Sequence, residues 1–215
     1  MNGPLPESKH YVNDFDARAA TWDDDPAKVE RAQAIADAIA REAPLAGSMH
    51  ALEYGCGTGL LGFMLRARVA DLTLADVSDG MLEVAARKIA LAHDAHARAI
   101  KLDLMSDPLP DRRFDLVFSA MTLHHIRDTD GVLRRLHAVL RRPGVLCIAD
   151  LDREDGSFHG VGFDGHFGFD RNDLAARTRN AGFPDVRFST AFEMRKEAAG
   201  ALRTYPIFLM VARTR

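Results

Sequence analysis

Hydrophobic positions recur with two different periods along this 215-residue chain. Between Lys28 and Ala43, the residues Val29, Ala32, Ile35, Ala36 and Ile39 fall three or four apart and share one helical stripe. Pro26 suits the first turn of that helix, and Pro44 with Gly47 ends it. The first dozen residues hold Gly, Pro and Ser and read as a loose tail. From Ser48 on, short apolar runs alternate with helical stretches. Strands are predicted over 48–54, 71–77, 97–104, 114–121 and 143–151, with helices over 60–69, 78–92 and 128–141. The run FDLVFSAM carries no charge after Asp115, as expected of a strand buried on both faces. Alternation of this kind predicts an α/β, doubly wound parallel sheet with helices on both sides. The C-terminal part breaks the rhythm. A helix over 170–182 precedes two strands, 185–196 and 203–214, with no room for a crossover helix between them. They are expected to form a hairpin, with one strand antiparallel to the rest.

Composition narrows the setting. The chain is 47% hydrophobic and 27% charged, an ordinary globular balance. A net charge of −3 gives no electrostatic footprint for nucleic acid or an anionic membrane. Cys56 and Cys147 do not make a disulfide framework, and no stretch approaches the ~18 apolar residues of a membrane span. A cytoplasmic setting with no membrane partner is expected. The sequence is silent on oligomeric state.

Candidate chemistry lies in EYGCGTGLLG, Glu53 to Gly62. Two glycine patterns overlap there, one starting at Gly55 and one at Gly57. In an open parallel sheet the turn after the first strand is the default ligand site, and glycines let the backbone approach a ligand closely. Asp76 ends the second strand, where an acid can accept hydrogen bonds from a ribose. Asp103 closes the third strand, where an acid could accept an adenine amino group and Leu104 could lie against the base. Both nicotinamide dinucleotides and adenosyl cofactors carry the ribose. Glu53 separates them, because a carboxylate just before the turn repels a pyrophosphate and attracts the ammonium of S-adenosylmethionine. An NAD-dependent oxidoreductase and a non-catalytic adenosylmethionine-binding protein stay open as alternatives.

Taken together, EYGCGTG, LADVSDGML, KLDL, FDLVFSAMTLHHI and LRRPGVLCIADL resemble the class I S-adenosylmethionine-dependent methyltransferases of the bacterial small-molecule type. The resemblance implies a seven-stranded Rossmann-like sheet whose last strand is antiparallel. It implies a helical cap over residues 1–44 on a cofactor-binding domain over 45–215. Glu53, Gly55, Gly57 and Gly59 would surround the methionine, Asp76 the ribose, Val77 and Met81 the adenine, and Asp103 and Leu104 the base edge. Ser119, Ala120 and Met121 would line the region near the sulfonium, with Phe15 and Trp22 closing over it.

The acceptor is expected to be a small molecule, since an Asn/Asp-Pro-Pro-aromatic stretch is missing after the fourth strand. Methyl transfer needs alignment above all, helped by a base where the acceptor must lose a proton. His159 is the preferred base and His124 a second candidate. His125, Asp155, His159 and His166 are expected to line the acceptor pocket. The loop over 151–169 also brings Asp152, Glu154 and Asp164 near these histidines. No H-E-x-x-H and no cysteine pair occurs, so no metal site is expected.

Overall fold

Each predicted strand is realised. They are β1 (His50–Tyr54), β2 (Asp71–Asp76), β3 (Ala97–Lys101), β4 (Phe114–Ala120), β5 (Leu140–Leu151), β6 (Asp185–Ala198) and β7 (Ala201–Arg213). These elements come from a computed structural model that describes residues 9–160, 162–198 and 200–215. One sheet joins them in the order β3-β2-β1-β4-β5-β7-β6. Strands β1 to β5 pair in parallel, while β7 runs antiparallel to both β5 and β6. Strand order reverses between β1 and β4, which puts a topological switch point at the carboxyl ends of these two strands.

The period-two alternation of the strands divides the core between the two faces. On one face Ala51, Leu72, Leu74, Phe118, Cys147 and Leu209 pack against α2 (Pro26–Glu42) and α3 (Leu60–Leu65). On the other, Leu52, Tyr54, Val117, Ile148 and Phe208 pack against α5 (Thr129–Val139) and α6 (Arg171–Asn180). Pro26 sits in the first turn of α2, whose cap is the Asp25 carboxylate. Ser78 caps α4 (Asp79–Leu91), its hydroxyl accepting the Met81 amide at 3.2 Å. Both cysteines are buried and free. No helix among the described residues is long and apolar enough to cross a membrane.

The N-terminal region departs from expectation. The tail contains a helix, α1 (Lys9–Arg18), and only the part of it before Lys9 lies outside the described residues. A 3₁₀ segment, Ala19–Asp24, follows it. Asp16 docks α1 onto the start of α4: its Oδ1 accepts from the Ser78 hydroxyl at 2.5 Å and from the Gly80 amide at 2.9 Å. The hairpin is also longer than its apolar pattern. Only Ile207–Arg213 of β7 pair with β5, and the segments 193–198 and 201–206 pair only with each other. Backbone pairing carries each strand two residues beyond its predicted bound at the tip, to Ala198 and back to Ala201.

Two predictions follow from this packing. Phe118 is fully buried in the middle of the sheet between β1 and β5. Phe118→Ala should cost about 3–5 kcal/mol of stability, read as a lowered urea midpoint with an unchanged slope. Hydrogen bonds from Ser78 and Gly80 hold the Asp16 carboxyl below its ordinary value. The clamp favours the ionised form. It is therefore at full strength above the unfolded carboxyl value of about 3.9 and is lost as pH falls through the lower folded value. Asp16→Ala should speed hydrogen exchange of the α1 amides at neutral pH while leaving those of α5 unchanged.

Candidate functional site

The turn after β1 is built from three glycines in the left-handed region, Gly55, Gly57 and Gly59, at φ of 69°, 54° and 78°. At Gly55 a side chain is also excluded by space, because a Cβ would lie 2.3 Å from Thr122. Asp76 closes the turn from β2. Its Oδ2 accepts the Gly57 amide at 2.7 Å, and its Oδ1 accepts the Val77 and Ser78 amides at 2.8 and 2.9 Å. A carboxylate offers about four acceptor positions, so one stays available to a ribose hydroxyl. Burial pushes the Asp76 carboxyl up, against the three amides that favour its charged form.

Glu53 sits on the α3 face of β1 and is 3% exposed. Its Oε2 has no hydrogen-bond partner among the described residues. Burial drives its carboxyl well above the usual range. The room it occupies comes from Gly62 in α3, where a Cβ would lie 2.4 Å from Oε2. Gly62 also faces Leu74, with 2.6 Å between a Cβ there and that side chain. The second glycine pattern is therefore not a dinucleotide signature. Its last glycine clears space for the acid that precedes the first.

These groups open on a cavity of about 680 Å³ along the carboxyl edge of the sheet, within the usual range for ligand sites. Glu53, Gly55, Gly57, Asp76, Val77, Met81 and Asp103 line it, as do Ala120 and Met121. Phe15 of α1 and Trp22 of the 3₁₀ segment line it as well, with their rings edge to face at 5.7 Å. Strand order places Asp76 and Asp103 toward one end and the segments after β4 and β5 toward the other. His124, His125 and His159 stand on those segments and line the same cavity.

Five expected residues lie elsewhere. Leu104 is fully buried in the α5-side core. The Asp103 carboxylate turns the chain there by accepting the Met105 amide and the Ser106 hydroxyl, so Leu102 and Met105 face the cavity instead. Ser119 donates its hydroxyl to the Tyr54 carbonyl at 2.7 Å and ties β4 to β1. Gly59 caps α3 and serves backbone geometry, without lining the cavity. Asp155 is exposed and pairs with Arg203 and Ser157 in a separate depression; these bonds pull its carboxyl down to about 2. His166 braces the loop, its Nε2 lying 3.0 Å from the Ile126 carbonyl and 3.1 Å from the Thr129 hydroxyl.

Other lining residues carry no signal in the sequence. Arg31 of α2 faces the cavity, its pKa lowered by burial. Lys196 of the hairpin tip donates to the Phe158 carbonyl at 2.6 Å. Lys28 lies 4.1 Å from the centre of the Trp22 ring. A lone cation on a polar helix flank or strand tip looks like any solvated one. Asp150 was hidden differently. It is fully buried in β5, and its Oδ1 lies 2.6 Å from His124 Nδ1. Burial pushes Asp150 up, but the His124 ring, with the Leu151 and His124 amides, outweighs it and holds the carboxyl below its ordinary value.

Residues 51–144 match the family model described as a methyltransferase domain. An uncharacterized methyltransferase of Mycobacterium tuberculosis is 36% identical over 102 residues, covering 47% of this chain and 50% of that protein. The 27-O-demethylrifamycin SV methyltransferase of Amycolatopsis mediterranei is 30% identical over 141 residues, covering 60% of this chain and 48% of that protein. The chain thus spans about half the length of these curated relatives. Among solved structures, a SAM-dependent methyltransferase of Thermotoga maritima superposes with a TM-score of 0.70 at 18% identity, covering 95% of this chain and 99% of that one. With the glycine turn, the β2 acid and the antiparallel β7 in place, residues 51–144 match a methyltransferase domain, set in a sheet with the fold of S-adenosylmethionine-dependent methyltransferases.

Proposed function

We propose that the protein binds S-adenosylmethionine in this cavity and transfers its methyl group to a small-molecule acceptor by in-line displacement. The carrying observation is Glu53, a buried carboxyl at the glycine turn whose Oε2 has no hydrogen-bond partner among the described residues and whose space a Cβ at Gly62 would fill. Such a group is costly to keep in the absence of a cationic ligand. The small acceptor finds support in the rifamycin-modifying relative and in a cavity of about 680 Å³.

When bound, S-adenosylmethionine supplies a methyl group already activated by the sulfonium. The chain's own residues orient and enclose it. Glu53 meets the ammonium, the Gly55–Gly57 backbone takes the carboxylate, and the fourth acceptor position of Asp76 takes a ribose hydroxyl. Val77 and Met81 flank the adenine, and Asp103 receives its amino group. Ala120 and Met121 face the sulfur. Phe15 and Trp22 exclude water from above. S-adenosylmethionine would supply the methyl carbon to an acceptor lone pair, with the thioether as the leaving group that takes the carbon–sulfur electron pair. His124, His125 and His159 mark the acceptor end. Mostly alignment is asked of the protein.

Calorimetry tests the Glu53 argument. Burial raises its carboxyl in the free protein and an ammonium beside it favours the charged form, so binding of S-adenosylmethionine should lower that value and release protons in the pH range between the free and bound values. Binding heats measured in buffers of different ionisation enthalpy count that proton. Glu53→Gln should abolish the release and weaken binding about tenfold or more, the scale of a lost charged hydrogen bond. Gly62→Ala should weaken binding as well, although alanine gains about 1 kcal/mol of helix propensity. No proton release from the wild type at any pH across the titration would sink the Glu53 assignment. Thermal stabilisation by NAD and not by S-adenosylhomocysteine would remove the methyltransferase reading altogether.

A further inference from the structure

The acceptor end of the cavity holds more imidazole than positioning requires. His124 and His125 form the end of a 3₁₀ turn after β4, and His159 comes from the loop after β5. Their ring centres lie 4.2 Å apart for His124 and His125, 4.9 Å for His124 and His159, and 5.5 Å for His125 and His159. One nitrogen from each ring falls within 4.8 Å of the others. We propose that His124, His125 and His159 form a three-histidine site for a divalent transition metal of the Zn²⁺ type, with its open position facing the methyl-donor cavity.

The surroundings fit that use. Asp150 Oδ1 accepts from His124 Nδ1 at 2.6 Å. This fixes the tautomer and leaves the lone pair on Nε2, the carboxylate–histidine arrangement that orients and strengthens a metal-binding imidazole. His159 is stacked on Phe163 at 3.8 Å with 12° between the rings, which restricts its rotation. The Phe15 ring packs edge-on against His125 at 5.6 Å. A metal takes only neutral imidazole. Burial and the neighbouring rings lower His125 to about 3 and His159 to about 4, with Lys196 adding to the effect on His159. Facing charges are mixed: Asp150 lies behind His124, Asp164 is on the rim paired with Arg127, and Arg31 and Lys196 line the same cavity.

Distances and ligand type select the ion. Tetrahedral Zn²⁺ with nitrogen at about 2.0–2.1 Å needs nitrogens about 3.4 Å apart. The rings must therefore close by about 1.4 Å at most from the 4.8 Å bound, a shift within reach of His159, the most exposed of the three. An all-imidazole set disfavours Mg²⁺ and Ca²⁺, which take oxygen. Three protein ligands leave a fourth position for water or an acceptor heteroatom. The sequence hid the site because His125 and His159 are 34 positions apart and share no motif. Metal binding here is independent of the proposed methyl transfer; only its service to an acceptor rests on that reading.

The test uses untagged, chelator-stripped full-length protein with no methyl donor present. Zn²⁺ is titrated against a chromophoric chelator, and Co²⁺ binding is followed by visible absorption. The wild type should take up one Zn²⁺ per chain and give the intense Co²⁺ bands of a four-coordinate site. His125→Ala and His159→Ala should each weaken Zn²⁺ binding at least 100-fold and remove those bands. Asp150→Asn should weaken it about 10- to 100-fold. His96→Ala, at the far end of β2 beside Asp71, should change nothing. Circular dichroism confirms folding, and the exposed His159 keeps the test decisive even if variants at buried His124 or Asp150 fail to fold. Stoichiometric binding that survives loss of both His125 and His159, binding lost in His96→Ala, or no tight binding by the wild type overturns the site. In that case the three rings are a packed imidazole cluster only.

Discussion

The clasp between Asp76 and the turn amides is the constraint on which the rest of the site depends. Two adjacent parallel strands end side by side, and both the turn after β1 and the start of α4 must be held without a hydrogen-bonding sheet. One carboxylate does this by accepting three amides from two segments. The left-handed glycines are its counterpart, since only they let Gly57 present its amide to Asp76 while the chain reverses into α3. The binding surface is therefore assembled at folding. A ligand arriving there need not order the loop, which lowers the cost of binding.

Around this clasp the acids are placed in unequal environments. Asp76 is buried but amply hydrogen-bonded. Glu53 is buried with an orphan oxygen. Asp150 is buried but satisfied by His124 and two amides. Of these three acids, Glu53 alone keeps an oxygen without a hydrogen-bond partner among the described residues. Functional sites are where such local inconsistencies are tolerated.

The sheet and its helices were legible because burial imposed a period on each element. Val29 to Ile39 could only be one face of a helix, and the short gap before Arg203 forced a hairpin. The cofactor turn was legible because glycine geometry and a strand-end acid are local features. Leu104 and Ser119 were misplaced for a shared reason. Where a strand ends, alternation stops, and a single Asx turn at Asp103 or a hydroxyl bond from Ser119 to Tyr54 decides which side chain faces the ligand. Asp155 and His166 were drawn into the acceptor pocket by proximity in sequence, but Arg203 holds the first outward and backbone carbonyls hold the second. Arg31, Lys196 and Asp150 had no local signature at all, because their meaning depends on elements brought together only by the fold.

The long hairpin has a consequence for how such a protein diversifies. Its tip leaves the sheet and contributes Lys196 to the wall of the cavity that Phe15, Trp22 and Arg31 also line, with Arg31 3.7 Å from Met194 of the hairpin. The glycine turn, Asp76 of β2 and Asp103 after β3 fall within residues 51–144, whereas α1, α2, the hairpin and the loop carrying His159 fall outside them. Ladder bonds between β6 and β7 hold the tip whatever side chains it carries, so residues there can change without disturbing the donor half. The wall that the tip supplies can thus vary in its side chains while the turn clasped by Asp76 stays fixed.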